Sequence, residues 1–273
     1  MRLLDPITYR SYFELGIHKY KFDSDPDKLE LLNKLYELQS NHDELYREYN
    51  SKLLELANEY APKFNSVYME RYNTIKNNPE LKSFWLQAMK NYRTIQASIE
   101  PWDEPVLANL CDIRAEYLNP KDQKSFRLDF VFSDDNTFFL NKVLSKEFLM
   151  ELDQTTGNWL LVKTIGTEII WKDGFDVVNV YETKKQRNKT TKQLATVKMR
   201  KSRPSFFNFF QSRQFANSSE FSFFSEDEIQ KLENYFSVDL ELAQIFKDRL
   251  IPKALGWFLY IEFDSEEEFD DAD

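Results

Sequence analysis

The chain has 273 residues, 42% of them hydrophobic and 16% aromatic, which allows one large domain or two modest ones and excludes a wholly disordered chain. Its 46 acids against 36 bases give a net charge of −10, which argues against a general nucleic-acid binder and favours a cationic partner. One cysteine, Cys111, and two histidines, His18 and His42, cannot build a zinc or histidine-rich centre, so no metal is expected.

Five glycines occur, never two within a few residues, so neither a phosphate-cradling loop nor a dinucleotide fingerprint can form and no cofactor is expected. No window approaches the roughly eighteen apolar residues of a membrane helix. The amino terminus also lacks an apolar stretch of signal-peptide length. The expectation is a soluble, intracellular chain in a reducing compartment. Residues 1–25 match no pattern with an assignable role.

Residues 26–77 read as one very long helix. Ser24 or Asp25 can cap it, and Pro26 suits its first position. Leu35, Leu38, His42, Leu45, Tyr49, Leu53, Leu56, Tyr60, Phe64 and Val67 recur in steps of three and four, which is the seam of a coiled coil or long helix pair. About fifty residues at 1.5 Å each would span roughly 75 Å, too far for one domain to cover the stripe, so a second chain is expected against it. Pro62 should kink the helix near 58–62; the alternative is two shorter helices broken there. Leu31, Leu32, Leu35 and Leu38 also admit a reading as a nuclear-export signal.

Asn78 and Pro79 start a further helix with Leu81, Phe84, Trp85, Ala88, Met89 and Tyr92 on one face. Another helix is expected from Asp103 to about Tyr117, with Leu107, Leu110 and Cys111 inward. Cys111 reads as a core residue rather than a nucleophile, since no histidine lies near it in sequence.

From Lys124 the period changes to two: Phe126, Leu128, Phe130 and Phe132 alternate with Arg127, Asp129 and Val131. Further strands are expected at 137–144, 146–153, 158–164, 176–183 and 195–200, joined into an antiparallel sheet, with 176–203 a basic projecting hairpin. The run PSFFNFF at 204–210 should pack onto the helical layer. Ser225 with Glu228 forms a capping box for a helix to about Asp248, and Pro252 opens a last helix over 254–260. The fold class is therefore α+β: a long dimerisation helix (26–77), an α+β domain (78–260) and an acidic tail (261–273).

Charge is unevenly placed. Residues 183–203 hold nine bases and no acid, residues 262–273 hold eight acids and no base, and the remainder holds 38 acids against 27 bases. The hairpin bases Lys184, Lys185, Arg187 and Lys189 suit a nuclear-import address read by an import receptor, or a phosphate contact. Candidate acids for a cationic partner are Asp103, Glu104 and Asp112 early in the domain, Asp173 and Asp176 beside the sheet, and Glu228, Glu233, Asp239 and Glu241 on the late helix. The tail adds Glu262, Asp264, Glu266, Glu267 and Glu268. No nucleophile, base and orienting group stand at credible spacing, so an enzyme is not expected.

Several segments occur in the order of one family: LNKLYELQ (32–39), FNSVYMERYNTI (64–75), FWLQAMKN (84–91), CDIRAEYL (111–118), FFLNKVLSKEF (138–148), GTEIIWKDG (166–174), KKQRNKTTKQ (184–193), SFFNFF (205–210) and FKDRLIPKALGWF (246–258). The chain resembles the nucleosome assembly protein family of histone chaperones from about residue 30 to its acidic end. That resemblance implies a headphone-shaped homodimer whose long helices pair antiparallel. It also implies binding of core histones through acidic surface, protection of histones from nonspecific DNA contact, and their delivery for assembly or nuclear import, with shuttling between nucleus and cytoplasm. Sequence-specific nucleic-acid binding is not implied, nor is a membrane role. The tail is short beside those common in the family. A dimeric scaffold or transport adaptor, or a phosphatase-inhibitor-like member of the same family, is the competing reading.

Overall fold

A computed structural model describes residues 25–153, 158–187, 194–214 and 225–261. Helix α1 runs unbroken over Pro26–Asn77, so the two-helix alternative at Pro62 is wrong. Asp25 starts it: its carboxylate accepts from the Lys28 amide at 3.3 Å, satisfying one of the donors every helix start leaves open. Pro62 cannot donate to the Asn58 carbonyl. One lost bond is tolerable in 52 residues of otherwise regular helix.

The chain divides into two compact units. One contains α1 up to Val67 with Pro120–Gln123 and Glu151–Leu160; the other contains Tyr68–Asn119, Lys124–Met150 and the chain from Leu161 on. In the first, Asn58 donates to the Pro120 carbonyl at 2.9 Å and accepts from Gln123 at 2.9 Å. Its expected seam is bare: Leu35, Leu38, Leu45, Tyr49, Leu53, Leu56, Tyr60, Phe64 and Val67 are each 44–66% exposed.

In the second unit a 3-10 turn over Pro79–Leu81 leads into α2 (Phe84–Asn91), α3 (Arg93–Gln96) and α4 (Glu104–Leu107). The helix expected from Asp103 to Tyr117 does not form. It stops at Leu107, and Leu110–Tyr117 is strand β1, antiparallel to β2 (Phe126–Phe132). A register irregularity between Leu110 and Asp112 shifts the burial phase, which is why CDIRAEY does not alternate cleanly. The same shift leaves Cys111 half-buried, with its thiol pushed up by burial.

Strands β3 (Val143–Leu152) and β4 (Trp159–Gly166) follow. The separate strand expected at 137–144 is absent: that stretch makes one isolated bridge, Phe139 to Trp171, and its backbone is held by asparagine side chains. Asn136 accepts from the Phe138 amide and Asn141 from the Ile170 amide. Strands β5 (Asn179–Arg187) and β6 (Leu194–Ser202) pair over nine positions as a two-stranded sheet of their own. A short β7 (Arg213–Gln214) completes a five-stranded sheet in the order β1-β2-β3-β4-β7.

The core lies on one face of this sheet. Phe126, Leu128, Phe130 and Phe132 point into it, met by Phe206, Phe207, Phe209 and Phe210 of the 3-10 turn Phe206–Phe210 and by Phe246. Phe130 is the hub, with edge-on contacts to Phe206, Phe209, Phe210 and Phe246 at 5.1–6.0 Å. Helix α5 (Glu226–Gln244) opens on the expected capping box of Ser225 and Glu228 and widens into a π-turn over Ile245–Leu250, after which α6 (Ala254–Phe258) closes the domain.

Candidate functional site

The acidic candidates separate by environment, and several hold the fold together. Asp103 is fully buried. One oxygen accepts from the Ser205 hydroxyl at 2.6 Å, the other from the Phe206 amide at 2.7 Å and the Glu100 amide at 3.0 Å. It fastens the start of the phenylalanine turn to α4. The neighbouring Trp102 indole donates to the Pro204 carbonyl at 2.9 Å and completes the clamp.

Asp112, also buried, takes the Arg114 guanidinium at 2.7 Å, while burial raises its carboxyl above the usual range. Arg71, from the end of α1, lies between the Tyr68 and Trp85 rings and donates to the Ile251 carbonyl at 2.6 Å. Asp176 holds the base of the hairpin, accepting from the amides of Val178 and Asn179 and the Asn179 side chain. Glu228 is exposed, and its carboxylate closes the capping box on the Ser225 amide.

Asp239 sits on the inner stripe of α5 with Phe236 and Ala243. Its carboxylate meets Lys146 at 2.5 Å and also binds the Arg213 guanidinium. Lys146 lies between Leu144 and Phe148 on the core face of β3, fully buried, and donates a second bond to the Phe209 carbonyl at 2.5 Å. Burial pulls its ammonium down to about 8 against the opposing pull of Asp239. Asp103, Asp112 and Asp239 are therefore not surface acids, because burial keeps them from a partner. Lys146 escaped the sequence reading, although a lysine in the apolar phase of LSKEF is the mark of an ion pair inside.

Four of the body candidates remain open to a partner. Asp173, Glu233 and Glu241 are exposed, and Glu104 is half-buried beside Lys90 at 2.8 Å. Glu262, Asp264, Glu266, Glu267 and Glu268 lie outside the described residues, as does Lys189. Lys184, Lys185 and Arg187 fall in β5, opposite Val197, Thr196 and Leu194 of β6. An open cleft of about 460 Å³ lies at the base of the hairpin, between Trp171, Arg200, Phe207 and Phe210. Among the described residues no cluster of His, Cys, Asp or Glu could hold a metal ion, and no helix is long and apolar enough to cross a membrane.

The nucleosome assembly protein (NAP) family model matches residues 73–260. Nucleosome assembly protein 1;2 of Oryza sativa subsp. indica is 30% identical over 245 residues, spanning 82% of this chain and 65% of that protein. Nucleosome assembly protein 1;1 of Oryza sativa subsp. japonica is 30% identical over 271 residues, spanning 91% and 69%. The structure of Nucleosome Assembly Protein 1 from Plasmodium knowlesi matches with a TM-score of 0.65 at 29% identity, covering 86% of this chain and 98% of that one. The chain spans less than two thirds of the length of the first of these relatives. With an α+β domain, an antiparallel sheet over helices and a long leading helix matched in both sequence and structure, the chain belongs to the nucleosome assembly protein family.

Proposed function

We propose that the protein is a histone chaperone that binds core histones through acidic surface, keeps them from nonspecific DNA contact, and passes them on for nucleosome assembly or transport. Family membership over residues 73–260 is the observation that carries this reading. The charge balance supports it, since histones are strongly basic and a negative body attracts them over a distance set by salt. The activity is binding alone.

The working unit in this reading is a homodimer. Nine large apolar side chains along α1 stand in water and, with His42 between Leu38 and Leu45, recur at intervals of three and four residues, a stripe of a length that a second copy of the same helix matches. Exposed Asp173, Glu233 and Glu241, with Glu104, contribute the acid of the body, and the 262–273 segment contributes the rest. The basic hairpin serves an import receptor, placing the protein in both nucleus and cytoplasm.

Light scattering of the purified chain with and without stoichiometric core histones, across salt, tests both parts. A dimer mass and histone binding that weakens as salt rises are expected. A monomer at micromolar concentration overturns the seam, and no histone binding at low salt overturns the function.

A further inference from the structure

Phe139 and Trp171 form a lone antiparallel bridge, and the backbone on either side of it is held without a regular ladder. The Leu140 amide donates to the Ile170 carbonyl at 3.0 Å and the Lys172 amide to the Phe138 carbonyl at 2.9 Å. The Asn141 side chain accepts from the Ile170 amide at 2.8 Å and donates to the Glu168 carbonyl at 3.1 Å. A turn follows, in which the Phe175 amide donates to the Lys172 carbonyl at 3.1 Å and Gly174 takes a φ of 84°, a conformation that glycine adopts without strain.

Successive side chains on extended backbone alternate between faces. Phe139 is buried, edge-on to Trp171 at 5.4 Å, and both rings pack on Phe207 of the core. Their neighbours turn to water: Leu140 is 64% exposed, Ile170 54% and Phe175 43%, the last edge-on to Phe138 at 5.4 Å. Glu168 and Asp173 are exposed on either side of Ile170 in the chain, and neither carboxylate has an ion-pair partner among the described residues. Both lysines of these segments are engaged, Lys142 by Asp134 at 2.9 Å and Lys172 by the Asn136 carbonyl at 2.9 Å.

We infer that Leu140, Ile170 and Phe175, flanked by Glu168 and Asp173, are a docking surface for a histone segment that carries apolar and cationic side chains side by side. The asparagine bonds and the aromatic core beneath hold this surface in place before a partner arrives, so little freedom is lost on binding. Charge complementarity selects the occupant. A second copy of the same face would set unpaired carboxylate against unpaired carboxylate, whereas a lysine or arginine beside an aliphatic side chain meets both kinds of neighbour at once. The inference rests on the histone-chaperone reading and names residues that contact the histone.

The test uses two variants of the full chain, Leu140→Ser with Ile170→Ser and Glu168→Gln with Asp173→Asn, titrated against core histones and against polylysine. The four side chains are exposed, so both variants should melt within about 2 °C of the parent. The serine variant should raise the histone Kd by about tenfold at about 0.15 M salt and leave polylysine binding unaltered, because its charge is unchanged. The carboxamide variant should raise the histone Kd by about threefold at low salt, an effect that fades as salt rises. Histone affinity equal to that of the parent in either variant overturns the docking surface and leaves the chaperone reading intact. A parent that binds no histone overturns both. Loss of polylysine binding in the serine variant, or a lower oligomeric mass of that variant without histone, also overturns the surface, by assigning it to charge alone or to a second copy of this chain. If the serine variant melts early, the carboxamide variant, which keeps the apolar side chains, decides.

Discussion

Asp239→Ala separates the acids that hold the fold from those that can face a partner. The substitution leaves the Lys146 ammonium, fully buried, with only the Phe209 carbonyl as acceptor, and it removes the carboxylate that Arg213 also binds. Removing one partner of a buried pair costs about 3–5 kcal/mol, because the other charge stays desolvated and uncompensated. With an m value near 3 kcal/mol/M, the urea midpoint should fall by roughly 1–1.7 M. Replacing both members, as Lys146→Met with Asp239→Leu, should recover most of that loss, since apolar residues of similar volume can replace a buried pair at little cost. Urea unfolding followed by tryptophan fluorescence, at one fixed protein concentration, measures all three proteins. A loss below about 1 kcal/mol for Asp239→Ala, or a double variant no better than the single one, would refute the argument that Asp239 offsets part of the cost of burying Lys146.

Other outcomes follow from the same structure. The Lys146 group, held near 8 when folded, sits below its unfolded value of about 10.4, so the unfolded chain holds more protons between those limits. Stability should therefore rise with pH from about 8 to 10.5, and Lys146→Met should flatten that slope in chemical denaturation at matched pH. Asp103→Ala strips the Phe206 amide and the Ser205 hydroxyl of a buried acceptor and should lower stability by about 3 kcal/mol, with histone affinity unchanged at temperatures where the domain is folded. Gly166→Ala would set a Cβ against the Phe210 carbonyl, and a thermal melt should show a loss of about 3 kcal/mol or more. Leu45→Asp with Leu53→Asp puts charge into the exposed stripe of α1 and should give a monomer by light scattering with the far-UV spectrum of the sheet domain retained.

Elements with a long, consistent period were legible. The three-and-four spacing from Leu35 to Val67 marks α1, and the alternation from Phe126 to Phe132 marks β2. The Ser225 and Glu228 pair gave the start of α5 because a capping box is a local device whose partners are three residues apart. Leu110–Tyr117 was misread because its register irregularity breaks the alternation, leaving Leu107, Leu110 and Cys111 to imitate a helical face. The acids were harder still, since a carboxylate that caps a buried amide and one that faces water have the same letter. Phase carried a usable signal: Asp239 lies three residues after Phe236 and four before Ala243, and Lys146 two from Leu144 and Phe148, so each charge stands on a buried stripe.

That partition of charge limits what acid alone can do. Of the nine body candidates, Asp103, Asp112 and Asp239 are buried, and Asp176 and Glu228 are committed to backbone amides. Exposed ion pairs contribute about 0–1 kcal/mol each and weaken in salt, so the four candidates that remain, a small part of the 38 acids outside the hairpin and tail, supply on the order of 2 kcal/mol between them. A micromolar complex requires about 8 kcal/mol. The other body acids, the carboxylates of residues 262–273 and the doubling of contacts in the proposed dimer narrow the gap, but every such contribution is screened together as ionic strength rises. Binding that survives physiological salt therefore needs a contribution that salt does not screen.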